Sequence, residues 1–232
     1  MRIETYTDEG AVAERTAEVI ADAARTGARR HGRAVLAFSG GSTPAPMLRD
    51  LGRRDLRWNA THIVQVDERV APDGHDDRNW TMITEHLLAG ADIPDALLHP
   101  MPVTADDLDA AAQDYASTLQ IVSGVPPIAD VIHLGLGADG HTASLVPGDP
   151  VLDVRNRWVA PAGPYQGRMR MTMTYPTINA ARLLVWQVTG VEKAAALRQG
   201  LQGKGVPASR IRRRDVVVIA TREAAAELSE PT

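Results

Sequence analysis

His141 stands two residues after Asp139, with Gly140 between them, and that arrangement can move a proton. Neutral imidazole is abundant at about pH 7 and can take a proton from water, while a nearby carboxylate orients the ring and stabilises its cation. Thr142 and Ser144 add hydroxyls just beyond. Read alone, the same residues also describe a turn in which Asp139 caps a helix and His141 is merely exposed. A second chemical segment is Ser39-Gly40-Gly41-Ser42-Thr43, followed by Pro44. Its two glycines let the backbone turn sharply and approach a ligand, and N–H groups at a helix start bind anions. The plainer alternative is a tight strand-to-helix turn capped by Ser42 or Thr43. The segment is not a nucleotide P-loop, because no Gly-Lys-Ser/Thr ending follows. The third segment is Asp67-Glu68-Arg69. It reads either as a structural ion pair or as a site where Arg69 clamps phosphate or carboxylate with two parallel bonds. Asp67 joins Asp139 and His141 among the catalytic candidates. His75, Arg78 and Asn79 form a further polar cluster ahead of a helix.

Other chemistries find little support. There is no cysteine, so a disulfide framework, a thiolate-bound metal and a cysteine nucleophile are excluded. The seven histidines contain no H-x-x-x-H pair, and no metal is expected. No Gly-x-Ser-x-Gly elbow supplies an esterase serine. Gly135, Gly137 and Gly140 match the dinucleotide fingerprint literally, but the match lies mid-chain. Asp139 stands inside it, where a carboxylate would repel a pyrophosphate, and no acidic residue follows at the required distance. Trp58, Trp80, Trp158 and Trp186 are too scattered for a base-stacking platform.

The elements that must position these residues follow from the hydrophobic pattern. At 232 residues, 44% hydrophobic and 23% charged, the chain has the composition of a soluble globular protein, and one domain over residues 1–232 is expected. A net charge of −4 argues against nucleic-acid or anionic-membrane partners. The N-terminus lacks a signal-peptide core, and no apolar run approaches the ~20 residues of a membrane span. A cytoplasmic protein is therefore expected; the sequence does not fix its oligomeric state, and with no obvious exposed apolar stripe a monomer is slightly favoured. Of 25 basic residues only Lys193 and Lys204 are lysines, which draws attention to each.

Residues 8–30 read as an amphipathic helix capped by Thr7. Strands are expected at Val35–Phe38, His62–Val66, Asp130–Leu136, Arg168–Tyr175, Leu183–Val188 and Asp215–Ala220. Helices are expected through Met47–Leu51, over Arg78–Leu88, from a Thr104 cap to Val122, over Val191–Leu201, and in a short tail to Leu228. This alternation implies an α/β fold: a mostly parallel, doubly wound, Rossmann-like sheet with helices on both faces. In such sheets ligands bind beyond the carboxyl ends of the strands. Ser39–Thr43, Asp67–Arg69 and Gly137–His141 are three such exits.

The three segments, read as Phe38–Pro44, Val66–Val70 and Gly135–Leu145, resemble those of the 6-phosphogluconolactonase family, in the family's order. Pro147-Gly148 continues the third. Arg170–Thr174 with Ile178-Asn179, and Gly190 with Lys193-Ala194, look like a fourth and a fifth. The resemblance covers nearly the whole chain. It implies hydrolysis of 6-phospho-D-glucono-1,5-lactone in the oxidative pentose phosphate pathway. It needs no cofactor, because a lactone is already an activated ester. On this reading His141 is the general base, oriented by Asp139. Ser39, Gly40, Gly41, Ser42 and Thr43 hold the phosphate with help from Lys193. Arg69 and Arg170 divide the phosphate and the oxyanion between them.

Two rivals share the fold. Glucosamine-6-phosphate deaminases have Asp-Glu-Tyr in place of Asp67-Glu68-Arg69. They continue past their histidine into Ile-Ala-Phe-Asn-Glu-Pro, where this chain has Thr142-Ala143-Ser144-Leu145-Val146-Pro147, without the glutamate. A sugar-phosphate sensor of the transcription-regulator type would carry a DNA-binding segment ahead of the domain. Here the residues before Val35 read as one helix.

Overall fold

A computed structural model describes residues 1–212 and 214–228. In chain order the elements are β1 (Arg2–Tyr6), α1 (Glu9–His31), β2 (Ala34–Phe38), α2 (Ala45–Gly52), β3 (Thr61–Gln65), β4 (Asp67–Arg69), α3 (Asn79–Leu87), β5 (Leu98–His99), α4 (Leu108–Ser123), β6 (Val131–Leu134), β7 (Val159–Tyr165), β8 (Arg168–Met173), α5 (Tyr175–Ala180), β9 (Leu183–Val188), α6 (Ala194–Gln202) and β10 (Val216–Thr221). Seven strands form one sheet in the order β1-β10-β9-β6-β2-β3-β5. Every pair in it is parallel.

Both faces of this sheet are covered, as its sequence pattern requires. Side chains alternate across a strand, so Val35 and Ala37 of β2 enter one apolar cluster while Leu36 and Phe38 enter the other. The first cluster includes Tyr115 and Leu119 of α4, Ile178 of α5 and Leu197 of α6. The second includes Ile20 of α1, Leu48 of α2 and Ile83 of α3. The α/β doubly wound reading therefore holds.

Several local expectations are corrected. β1 precedes α1, so Val35 does not belong to the first strand. β1 was illegible because it is an edge strand, pairing only with β10, and carries little apolar alternation (Arg2, Glu4 and Thr5). Asp8, not Thr7, caps α1: its carboxylate accepts from the Ala11 N–H at 2.8 Å, while the Thr7 hydroxyl turns to Asp8. Likewise α4 is capped by Asp107, which accepts from the Asp109 and Ala110 N–H groups, and Thr104 lies in the preceding turn. The tail after β10 forms successive turns over 222–227 rather than a helix.

The largest departure is a second sheet, antiparallel and three-stranded, in the order β4-β8-β7. Asp67–Arg69 leaves the main sheet one residue after β3 and pairs with β8. The register sets Arg69 directly opposite Arg170 and Asp67 opposite Thr172. Directly opposed residues share a face of the ribbon, so Asp67, Arg69, Arg170 and Thr172 lie on one side.

Candidate active site

The Gly137–Gly140 turn follows β6 and exists to fold back on itself. Gly140 N–H donates to Gly137 O at 2.9 Å, and Gly137 N–H donates to His141 O at 2.8 Å. A Cβ on Gly137 would stand 2.1 Å from His141 Nδ1, so glycine is required for the ring to lie there. Asp139 Oδ1 accepts from the His141 backbone N–H at 3.1 Å and meets Nδ1 at 2.5 Å. A carboxylate only accepts, so Nδ1 carries the proton and Nε2 of the neutral ring is the basic nitrogen. Partial burial pushes the Asp139 carboxyl up. The hydrogen bonds from His141 and Tyr165 outweigh this and hold it below its ordinary value.

The Ser39–Thr43 loop leaves β2 and runs into the N-terminus of α2. Two buried polar residues of the main sheet hold its ends. The Ser39 hydroxyl donates to His133 O at 3.1 Å, and Gln187 Nε2 donates to Thr43 O at 3.1 Å. Because its amide nitrogen is so engaged, Gln187 offers Oε1 to His133 Nε2 at 3.1 Å. Gly40 lies against Asn79: a Cβ there would stand 1.9 Å from Asn79 Oδ1. Asn79 is itself fixed by donating to Asp67 O at 2.9 Å.

His133 gives the site an acid-sensitive support. Burial pushes its ring down to about 4, against a weaker upward pull from Gln187. An unfolded histidine titrates at about 6.5. The fold therefore holds the neutral ring, and this contribution is complete above about pH 6.5 and lost as pH falls towards about 4. The expected His133-dependent loss is about 2 kcal/mol between about pH 7 and about pH 5. Urea unfolding of the parent and of His133→Gln at both pH values measures it. Equal pH sensitivity in the two proteins would contradict it.

These segments close around a cavity of about 220 Å³ at the carboxyl ends of β2, β6 and β9. Ser39, Gly40, Gly41, Ser42, Thr43, Asp67, Arg69, Arg170, Lys193 and His141 all line it, so the candidates separated in sequence meet in one place. Asp139 stands behind His141 rather than on the wall. Opposed like charges such as Arg69 and Arg170 destabilise a ribbon unless an anion lies between or near them. Burial lowers the Arg170 guanidinium from its usual value, the Asp67 charge opposes this, and Arg69 adds to it. Asp67 is fully buried and accepts from the Ser144 hydroxyl at 2.7 Å. Burial raises its carboxyl, with the Ser144 bond and the Arg170 charge pulling the other way.

His133 and Gln187 also line the cavity and were not singled out in the sequence, while Asn79 was legible only as part of the polar cluster ahead of α3. Their signal was a polar residue inside or bordering a buried apolar element. Tyr165 was also missed, because nothing local ties it to His141. Among the described residues no three His, Asp or Glu side chains are grouped to hold a metal. A larger cleft of about 690 Å³ opens at the amino ends of β1, β9 and β10. Its arginines are largely paired, Arg2 and Arg15 with Glu4 and Arg182 with Asp130. It lies at the opposite end of the strands from His141.

The site is thus that of an α/β enzyme, with a glycine loop, two arginines and a lysine around one cavity that a carboxylate-oriented histidine also lines. The chain belongs to the family of glucosamine-6-phosphate isomerases and 6-phosphogluconolactonases, whose model matches residues 7–220. It is 42% identical to a 6-phosphogluconolactonase from Synechocystis over 72% of this chain and 70% of that one. It is 35% identical to one from Nostoc over 85% of this chain and 83% of that one. The structure of a 6-phosphogluconolactonase from Trypanosoma cruzi superimposes with a TM-score of 0.86 at 26% identity, covering 99% of this chain and 97% of that one.

Proposed function

We propose that this chain hydrolyses 6-phospho-D-glucono-1,5-lactone to 6-phospho-D-gluconate, the lactone-opening step of the oxidative pentose phosphate pathway, with His141 as general base. The observation that carries the mechanism is the His141–Asp139 contact of 2.5 Å on the rim of a cavity lined by two arginines, a lysine and the glycine loop. Nε2 of His141 takes a proton from water as the water oxygen bonds to the lactone carbonyl carbon. Asp139 stabilises the resulting imidazolium. The tetrahedral oxyanion is met by a guanidinium, and we assign Arg170 because it is the more buried of the two and its charge acts in a drier setting. Collapse breaks the bond from the carbonyl carbon to the ring oxygen. His141 returns its proton to that oxygen, which leaves as the hydroxyl of the open-chain acid.

The phosphate lies on the N–H groups and hydroxyls of Ser39–Thr43, with Lys193 and Arg69 supplying charge. Asp67, held by Ser144, lies on the same face of the ribbon as Arg170, and its negative charge favours the charged guanidinium there. The enzyme works as a cytoplasmic monomer formed by residues 1–232 as one domain. No described helix is long and apolar enough to cross a membrane. Sedimentation velocity checks the monomer, and a dimer mass would overturn it.

The test of function uses freshly made lactone, with spontaneous opening subtracted, beside an assay of glucosamine-6-phosphate deamination. Lactone hydrolysis without deamination is expected. Deamination without lactone hydrolysis would overturn the reading.

A further inference from the structure

Three of the site's groups meet on one side chain that the mechanism above does not use. Tyr165 closes the β7–β8 hairpin. It pairs with Arg168 across a two-residue loop, Gln166-Gly167, in which both residues have positive φ, 51° and 77°. Such a loop matches the natural twist of two paired strands. Just before it, the pairing slips between Ala162 and Tyr165. A slip of this kind re-aims the side chains that follow. The Tyr165 hydroxyl donates to Asp139 Oδ2 at 3.2 Å, leaving Oδ1 to His141. Its ring meets the His141 ring edge-on, with centroids 5.3 Å apart. Its face lies under the Arg170 guanidinium at 5.0 Å. The residue is half-buried at a hairpin tip and enters neither apolar cluster.

We propose that Tyr165 is a positioning residue: it fixes the second oxygen of Asp139, walls the His141 ring, and gives Arg170 a platform, so that base and oxyanion donor are held in one register. The proposal rests on His141 being the base. A carboxylate held at Oδ1 alone can rotate, and the ring it orients rotates with it. A hydrogen bond at Oδ2 stops that rotation. It also spreads the carboxylate charge, so Asp139 pulls less strongly on the His141 proton. Removing the hydroxyl strengthens that pull and favours the protonated ring, which is no longer a base. The other charged groups lining the cavity are Asp67, Arg69, Arg170 and Lys193. Among the described residues none of them hydrogen-bonds the His141 ring.

Tyr165→Phe keeps the ring and removes only the hydroxyl. Its kcat should fall by about tenfold with KM nearly unchanged. The acid limb of its kcat–pH profile should move to higher pH. Tyr165→Ala also removes the platform under Arg170, the oxyanion donor, so its kcat should fall further than that of Tyr165→Phe. A Tyr165→Phe profile that superimposes on the parent's, in both height and position, would overturn the proposal. His141→Ala in the same assay reports on the base separately. If that variant stays active, the base assignment falls. If it is inactive while Tyr165→Phe matches the parent, only the role of Tyr165 falls.

Discussion

His141→Ala should lower kcat for lactone hydrolysis by about 10²–10⁴-fold, the range a positioned general base contributes. KM should move little. His141 takes a proton only as water attacks, so its contribution belongs to the transition state rather than to substrate binding. The ring is partly exposed and outside both apolar clusters, so its loss should leave the fold intact. Steady-state kinetics and thermal unfolding of parent and variant check both halves. A variant that keeps kcat within about threefold of the parent would remove His141 from the chemistry. A variant that unfolds would instead assign it to structure.

Arg78→Ala should cost stability on a comparable scale. The Arg78 guanidinium contacts the Glu68 carboxylate at 3.0 Å, with side-chain exposures of 3% and 0%, so neither charge has water to fall back on. Breaking a buried pair from one side typically costs about 3–5 kcal/mol, because the remaining charge is stranded. Glu68 also accepts from the Asn79 and Trp80 N–H groups at 2.7 and 2.9 Å, and from Gln65 Nε2 at 2.8 Å. It therefore ties the start of α3 to β4, and through Asn79 it supports the back of the Ser39–Thr43 loop. For a chain of this size the loss should lower the melting temperature by roughly 10 °C, read by calorimetry. A shift below about 2 °C would mean that the pair contributes no more than a surface ion pair.

The two sites of loss differ in how legible they were. The pairing of His141 with Asp139 was legible because it is local: a strand exit, a glycine turn and a carboxylate two residues away lie within one short segment. The same is true of Ser39–Thr43. The parallel sheet was readable because buried parallel strands appear as continuous apolar runs such as Val35–Phe38. What the sequence hid depends on pairing between distant segments. Nothing near Arg69 says that it will oppose Arg170, since that register arises from β4 leaving one sheet for another. Glu68 was legible only as a member of the Asp67-Glu68-Arg69 strand exit, with no sign that it is fully buried and receives the first N–H groups of α3. Tyr165 reaches Asp139 only through a slipped hairpin. The helix caps were misread for a smaller reason: Thr7 and Thr104 are competent caps, but Asp8 and Asp107 stand closer to the first helical turn.

The central claim is that water, activated at His141, attacks the lactone carbonyl directly, and that no protein oxygen bonds to that carbon. Asp67 and Asp139 are the carboxylates at or beside the cavity that could act as nucleophiles instead. A single turnover in heavy-oxygen water, with enzyme in excess over freshly made lactone, detects a covalent route in which water opens the adduct at the Asp carbon. Direct attack places one solvent oxygen in the new carboxylate of the first product formed and none in the protein. First-turnover product without the heavy oxygen, together with labelled Asp67 or Asp139, would contradict the account.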